Sequence, residues 1–452
     1  MNNKKYLNVF QKVAYGADGF GNNFFYTFIS TYMLLYLTDV MGMNAGIIGT
    51  LILISKLFDG LTDVFFGSVI DRTNSKWGKA RPWLLGSAIP LAIIQVMLFA
   101  VPKSSAIIQY AYFFVVYCAA NAIFYTANNV SFSTLTALIT HNATERVQLG
   151  AISNVAGSIA GVVIPYACSK LVFIFGNGVS GWRTTAFIFA FVQLLFCAIT
   201  FWGTKEIPLE NELTDIPKDE KKISFINVLK VVVTNKYYLI MLMIQILLAS
   251  IGTCFFTSGA YYCQWILGNG AMLAGFSTAF SLGMFVGMVM HPFITAKLGY
   301  RKTMGWTNVI SVIFLVLFVF GAYIRSMPIM LVSLFIKNMF GFSSIGCCMF
   351  AAIADIAKFS YRTSGIHVEG AMFSCTSMGM KIGQGITASI CGWLLTLSGY
   401  IGTAASQSAG ALNMMIVMFA VIPLVLTILL TFFCFKLKIE EANKKWEEEH
   451  LA

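Results

Sequence analysis

From Met414 to Phe435 the chain runs without one charged side chain, and Thr307–Tyr323 does the same. Each stretch approaches the roughly 20 residues that cross a bilayer as a helix. Backbone in lipid has to satisfy its own hydrogen bonds, so such stretches read as helices rather than open strands. No alternating period of two runs through them, which argues against a membrane barrel. The composition agrees: 58% of the chain is hydrophobic and 11% charged, against about 25% charged in soluble proteins.

Twelve spans are expected, at roughly 10–37, 44–70, 82–101, 107–139, 147–175, 184–203, 237–266, 272–296, 303–324, 328–356, 368–398 and 410–436. The first follows Lys4, Lys5 and Lys12 and carries polar residues, so it is expected to be a retained helix and not a cleaved leader. Of the 30 lysines and arginines, only Lys103, Lys170, Arg183 and Arg325 fall on one side of these spans. Lys56, Lys337 and Lys381 fall inside spans, and all the others fall on the second side. By the positive-inside rule that second side is the cytoplasm, and it holds both termini. The net charge of +11 is thus a topology signal and not a nucleic-acid footprint. All 10 cysteines lie in expected spans without metal-ligand spacing. No catalytic constellation and no nucleotide-binding loop is legible, which disfavours an enzyme or a primary pump.

The longest polar stretch, 204–236, divides the chain into six spans before it and six after. The expected domains are therefore 1–203, a cytoplasmic linker 204–236, a second bundle 237–436 and a cytoplasmic tail 437–452. A basic turn follows the second span (Asp71–Arg81) and another follows the eighth (Lys297–Lys302). Two parallel six-helix repeats form the all-α architecture of the major facilitator superfamily, with the substrate site between the halves at mid-membrane.

Ionisable residues at the bilayer centre cost about 2.5–3.5 kcal/mol each on insertion scales, so each needs a reason. Lys56, Asp59 and Asp63 recur at three and four residues and share one helical face. Two carboxylates and one ammonium leave a surplus negative charge, which suits a monovalent cation or a proton. Ser374, Ser377, Lys381 and Gln384 make a comparable stripe in the eleventh span. The first span carries Asp18, Asn22 and Tyr26, with Asn23 alongside. The fourth carries Asn121, Tyr125, Asn128 and Phe132, with Thr126 and Asn129 adjacent. Amides and phenols interleaved with rings suit sugars, since amides serve hydroxyls and rings cover the apolar sugar face. The same amides also suit helix-to-helix contacts inside a membrane. Lys337 lies deep in the tenth span, where a cavity-facing and a packing role are equally open.

The run FDGLTDVFFGSVIDRTNSKWGKARPWLLG, with YGADGFGNN and YLTDVMG before it and TSGIHVEGAMFS after it, closely resembles the glycoside–pentoside–hexuronide:cation symporter family. The resemblance extends over most of the chain. It implies import of a glycoside, of the glucuronide or the pentoside and xyloside class, coupled to Na+ or H+ by alternating access. It places Asp59, Asp63 and Thr126 on the coupling cation. It places Asn23, Asn129, Ser133, Asn154 and Ser377 at the substrate and Lys381 on the family's intramembrane lysine, expected either at the substrate or against the surplus carboxylate of the second span; the polar stripes add Asp18, Asn22, Tyr26 and Tyr125 to the substrate group. It assigns Arg146, Asp355 and Glu369 to the inner gate, where Lys56 stands in place of the usual arginine. The family's melibiose carrier has carboxylates at the positions of Asn23 and Asn129, an arginine near Asn154 and a tryptophan at Ser133. Glucuronide carriers share the two asparagines. The resemblance further implies a bacterial inner-membrane protein, working as a monomer with no cofactor beyond its coupling ion. A second reading, transport of an amphipathic or lipid-like solute, would use Phe24, Phe25, Phe28, Phe124 and Phe132.

Overall fold

The computed structural model describes the backbone of residues 5–140, 142–207, 234–364 and 369–451, and the side chains of all but a few of these. Within them the chain is helical, with one isolated antiparallel bridge at Ser75 and Gly78. The helices are α1 Val9–Leu35, α2 Ala45–Arg72, α3 Arg81–Leu98, α4 Ala106–Cys118, α5 Thr126–Leu138, α6 Ala143–Ile174 and α7 Val179–Gly203. They continue as α8 Lys236–Tyr261, α9 Leu273–Leu298, α10 Tyr300–Tyr323, α11 Met327–Lys337, α12 Ser343–Ser364, α13 Glu369–Leu397, α14 Ala409–Ile416, α15 Ile422–Lys436 and α16 Ile439–Leu451. Wide π-turns extend or join several of them. Tyr36–Val40 prolongs α1, Ala119–Tyr125 joins α4 to α5, Asn338–Phe342 joins α11 to α12, and Val417–Val421 joins α14 to α15. Each expected span falls on one continuous helical segment. Ten of these segments are long and apolar enough to cross a membrane.

The chain forms two compact units. Unit 1 holds residues 1–208, 256–278 and 388–415, and unit 2 holds 209–255, 279–387 and 416–452. In unit 1, α1 packs along α6 and α7, and α3 packs along α7. Helix starts follow local rules: Asn8 and Gln11 close a capping box on α1, and Asn44 accepts the N–H groups of Gly46 and Ile47 to start α2. The buried centre of unit 1 is aromatic, with Phe28 against Phe99, Trp182 and Phe189. In unit 2, α10 packs against α11 and α15. There α16 lies along α12, where Glu447 binds Arg362 at 2.6 Å and Asn443 donates to the Asp355 carbonyl at 3.0 Å.

Candidate functional site

In unit 1, α2 sets Lys56 and Asp59 one turn apart and buries them to 8% and 2% exposure. The Lys56 ammonium lies 3.5 Å from Asp59 Oδ2 and donates to Asn121 Oδ1 at 3.3 Å. The Thr126 hydroxyl reaches Asp59 Oδ1 at 2.5 Å and the Asn121 carbonyl at 2.9 Å. Asn121 and Thr126 are five residues apart, a spacing that turns two side chains away from each other on an unbroken α-helix. The π-turn Ala119–Tyr125 brings them together, and the Thr126 N–H also bonds to the Asn121 carbonyl. Turns of this kind concentrate at functional sites. Asp63, one turn beyond Asp59, is half-buried. The Asp59 carboxylate thus meets one ammonium and one neutral hydroxyl, and a second carboxylate, Asp63, lies one turn further along α2.

The same π-turn splits the expected fourth-span stripe. Asn128 is buried and donates to the Leu84 carbonyl of α3 at 2.8 Å. Phe132 is buried and stacks on Tyr15 at 4.5 Å. These two hold helices together. Tyr125 instead lies beside Phe25 and Tyr26, stacked on both rings. Asn129 and Ser133 are exposed, as is Asn154 on α6.

The first-span stripe divides as well. Asp18 and Asn22 are buried, and the Asn22 amide donates to Asp18 Oδ2 at 2.8 Å. The Asp18 N–H bonds to the Thr200 hydroxyl of α7. Tyr26 and Asn23 are half-buried, and Asn23 donates to the Gly19 carbonyl at 2.7 Å. The substrate candidates of unit 1 therefore fall into an inner pair packed on α7 and an accessible group of Asn23, Tyr26, Asn129, Ser133 and Asn154.

Phe24, Phe25 and Phe28 are buried, two of them against Phe189. They fill the core and do not offer an apolar lining to a solute. Arg146 donates to the carbonyls of Thr140 and Ala137 and so closes the end of α5. Its neighbour Glu145, which no motif flagged, is buried and accepts from the N–H groups of Tyr6 and Leu7 and from the Thr140 hydroxyl.

In unit 2, Ser377 and Lys381 stand one turn apart on α13 and share a face, with Ser377 exposed and Lys381 half-buried. Asp355 accepts from the Tyr300 hydroxyl at 2.9 Å. The side chains of Glu369 and Ser374 lie outside the described residues. Lys337 is 4% exposed, donates to Asn338 Oδ1 at 3.1 Å and faces the rings of Phe280 and Phe342.

Sequence reasoning left one cluster unassigned, at the end of unit 1 away from the basic turn. Asp39, in the π-turn that prolongs α1, accepts from Thr38 at 2.7 Å, from the Trp265 indole at 3.0 Å and from the Tyr400 hydroxyl. Thr38 also meets the Tyr261 hydroxyl at 3.0 Å. The chain comes close because residue 402 is glycine: a Cβ there would sit 2.2 Å from the Thr38 carbonyl. The motif YLTDVMG contains Asp39 and Thr38, but the partners Trp265 and Tyr400 are more than two hundred residues away in sequence.

A family model described as MFS/sugar transport protein matches residues 14–441. Among similar proteins, the chain is 27% identical to an isoprimeverose transporter of Lactiplantibacillus pentosus over 92% of this chain and 85% of that one. It is 28% identical to a glucuronide carrier protein homolog of Escherichia coli (strain K12), covering 86% of this chain and 84% of that one. A putative glycoside/cation symporter of the same strain is 26% identical over 93% and 90%. Among solved structures, the inward-open xylose transporter from E. coli has a TM-score of 0.64 at 13% identity, covering 98% of this chain and all of the other. A bacterial homologue of the human lysosomal transporter Spinster has a TM-score of 0.68 at 14% identity, over 95% and 97%. At these identities the structures establish the major facilitator fold and nothing finer.

Proposed function

Because the chain belongs to the MFS/sugar transport protein family, we propose that it is a secondary active symporter that imports a glycoside together with Na+ or H+. The family is one of transport proteins and not of enzymes. The observation that carries the coupling is the buried Asp59, held between the Thr126 hydroxyl and the Lys56 ammonium. A carboxylate in a membrane span is tolerated when its charge is balanced. Lys56 balances one of the two carboxylates, and a cation at Asp59, Asp63 and Thr126 balances the other. Loading the ion thus removes the charge penalty that otherwise opposes movement of the site between the two faces of the membrane.

In unit 1, Asn23, Tyr26, Asn129, Ser133 and Asn154 are the groups we assign to the sugar, with Tyr125 backing Tyr26; in unit 2, Ser377 and Lys381 are the candidate groups. Two relatives support a glycoside, one by its name as an isoprimeverose transporter and one as a glucuronide carrier homolog. Asparagines at 23 and 129 do not repel an anionic sugar, so both a pentoside and a hexuronide remain within reach of this site. We place the protein in a bacterial inner membrane as two six-helix halves, with both termini cytoplasmic, acting as a monomer without a cofactor beyond the coupling ion. Four of the five rings the amphipathic-solute reading would use, Phe24, Phe25, Phe28 and Phe132, are buried in the core, which leaves that reading Phe124 alone.

Uptake in membrane vesicles tests this. A labelled glycoside should accumulate under an inward sodium or proton gradient. Excess methyl-glucuronide and methyl-xyloside, added separately, then report which class competes. Lysolipid competing where neither sugar does would sink the reading.

A further inference from the structure

Unit 1 contains a cavity of about 730 Å³ at the end where Asp39 lies. It is remote in sequence and in position along the helices from Asp59, and nothing in the symport reading uses it. Its wall includes Tyr32, Trp182 and Trp265, together with Asp39, Gln264 and Asn269. The volume falls in the range of small-molecule sites, about 300–1,000 Å³. Rings beside amides and a carboxylate form the lining that hydroxyl-rich ligands use, with ring faces for C–H surfaces and amides for hydroxyls. Gln264 and Asn269 are exposed, and Trp265 is half-exposed.

The carboxylate in that wall is also the hub of the cluster described above. Its three side-chain donors, the Thr38 hydroxyl, the Trp265 indole and the Tyr400 hydroxyl, are all neutral. They come from three separate stretches of chain, and Asp39 ties the end of α1 to both the turn after α8 and the loop after α13. A sugar hydroxyl is a neutral donor of the same kind. One in this cavity exchanges for Trp265 or Tyr400 on Asp39 at little net cost, because one hydrogen bond replaces another.

We propose that this cavity is a second, outer binding site for a glycoside, in which sugar hydroxyls displace Trp265 and Tyr400 from Asp39 and so loosen the contact between the end of α1 and its neighbours. The choice of a glycoside as ligand, and the outward direction of the cavity, rest on the symport reading. The cavity and its Asp39 hub do not.

The test uses right-side-out membrane vesicles carrying the full chain with Asn269→Cys, and separately with Ala271→Cys, a second exposed residue of the same wall. A membrane-impermeant maleimide labels the new thiol. The probes are 4-nitrophenyl β-xyloside and 4-nitrophenyl β-glucuronide, and uptake of each is followed in the same vesicles. At about ten times its Kd, a ligand in the cavity slows labelling about tenfold by mass action. The protection should survive Asp59→Asn, which stops uphill accumulation, and should be lost with Trp265→Ala. Labelling unchanged by either glycoside at both positions overturns the outer site. Protection that disappears with Asp59→Asn also overturns it, because the thiol then reports the ion-coupled site. Uptake separates the two readings: protection without uptake keeps the outer site and defeats symport, and uptake without protection does the reverse.

Discussion

The two units build the same device from different side chains, and only one of them sets a carboxylate in it. In unit 1, α2 faces the π-turn Ala119–Tyr125; in unit 2, α9 faces the π-turn Asn338–Phe342. Asn121 and Asn338 each donate to the carbonyl four residues earlier, and each accepts a lysine ammonium, from Lys56 and from Lys337. A hydroxyl residue follows each π-turn, Thr126 in one case and Ser343 in the other. The contents then diverge. Thr126 meets Asp59, whereas Ser343 meets Gly287, where a Cβ would fall 2.1 Å from the Ser343 hydroxyl and 2.2 Å from the Met339 carbonyl. At Gly283 a Cβ would fall 2.3 Å from the Phe335 carbonyl. Unit 2 closes this joint backbone against backbone, as small residues allow in membrane helices. Unit 1 instead sets the Asp59 carboxylate against the Thr126 hydroxyl. A shared scaffold thus carries a buried carboxylate in one unit and a close backbone contact in the other.

The ends of the two units that carry the basic turns repeat the pattern without divergence. Arg81 bonds the Phe201 carbonyl, and Arg301 bonds the Phe435 carbonyl. Glu206 accepts the N–H groups of Lys79, Ala80 and Arg81 at the start of α3, and Glu440 accepts those of Tyr300 and Arg301 at the start of α10. Each glutamate serves helix-start donors that have no partner within the helix.

The comparison breaks first at Asp59. Asp59→Asn should reduce glycoside accumulation to simple equilibration, while exchange of glycoside across the membrane persists; full gradient-driven accumulation would remove the ion from unit 1. The lysines come next. Lys56→Met strands a buried carboxylate and should cost on the order of 3–5 kcal/mol, whereas Lys337→Met removes a buried ammonium that meets an amide and two rings, and should be neutral or stabilising. Thermal unfolding of the two purified variants, side by side, reads this difference, and equal losses would show that the two ammonium groups do the same work. Gly287→Ala forces a methyl group into the Ser343 contact and should cost about 1–3 kcal/mol. A wild-type melting temperature would mean that the joint in unit 2 is looser than its geometry indicates. The smallest effects belong to the caps: Glu206→Gln and Glu440→Gln should each cost about 0.3–1 kcal/mol through the lost charge at a helix start. Because Glu206 serves three N–H groups and Glu440 two, the first variant should melt at or below the second.

Helix positions, the basic turns and the charged face of α2 were legible in the residues alone. A membrane span must be long and apolar, and a charge inside one stands out against that background. The same reasoning marked Asp59, Asp63 and Lys56, to which the family resemblance added Thr126. It paired Asn121 with Asn128 and Phe132 on one stripe, because a regular period of 3.6 residues was assumed. The π-turn broke that period, and no residue in Ala119–Tyr125 announces one. Asn121 entered the ion cluster and Asn128 went to α3 for that reason. Asp18 and Asn22 were legible as polar residues in a span, but only packing on α7 decided that they face a neighbouring helix. The Asp39 hub lay furthest from view, since it joins segments that nothing in the local pattern connects. Composition and spacing determine which segments enter the membrane, because that choice depends on each segment's own transfer free energy. Which polar groups then meet depends on helix rotation and close approach, and these are settled by the contacts of the whole fold.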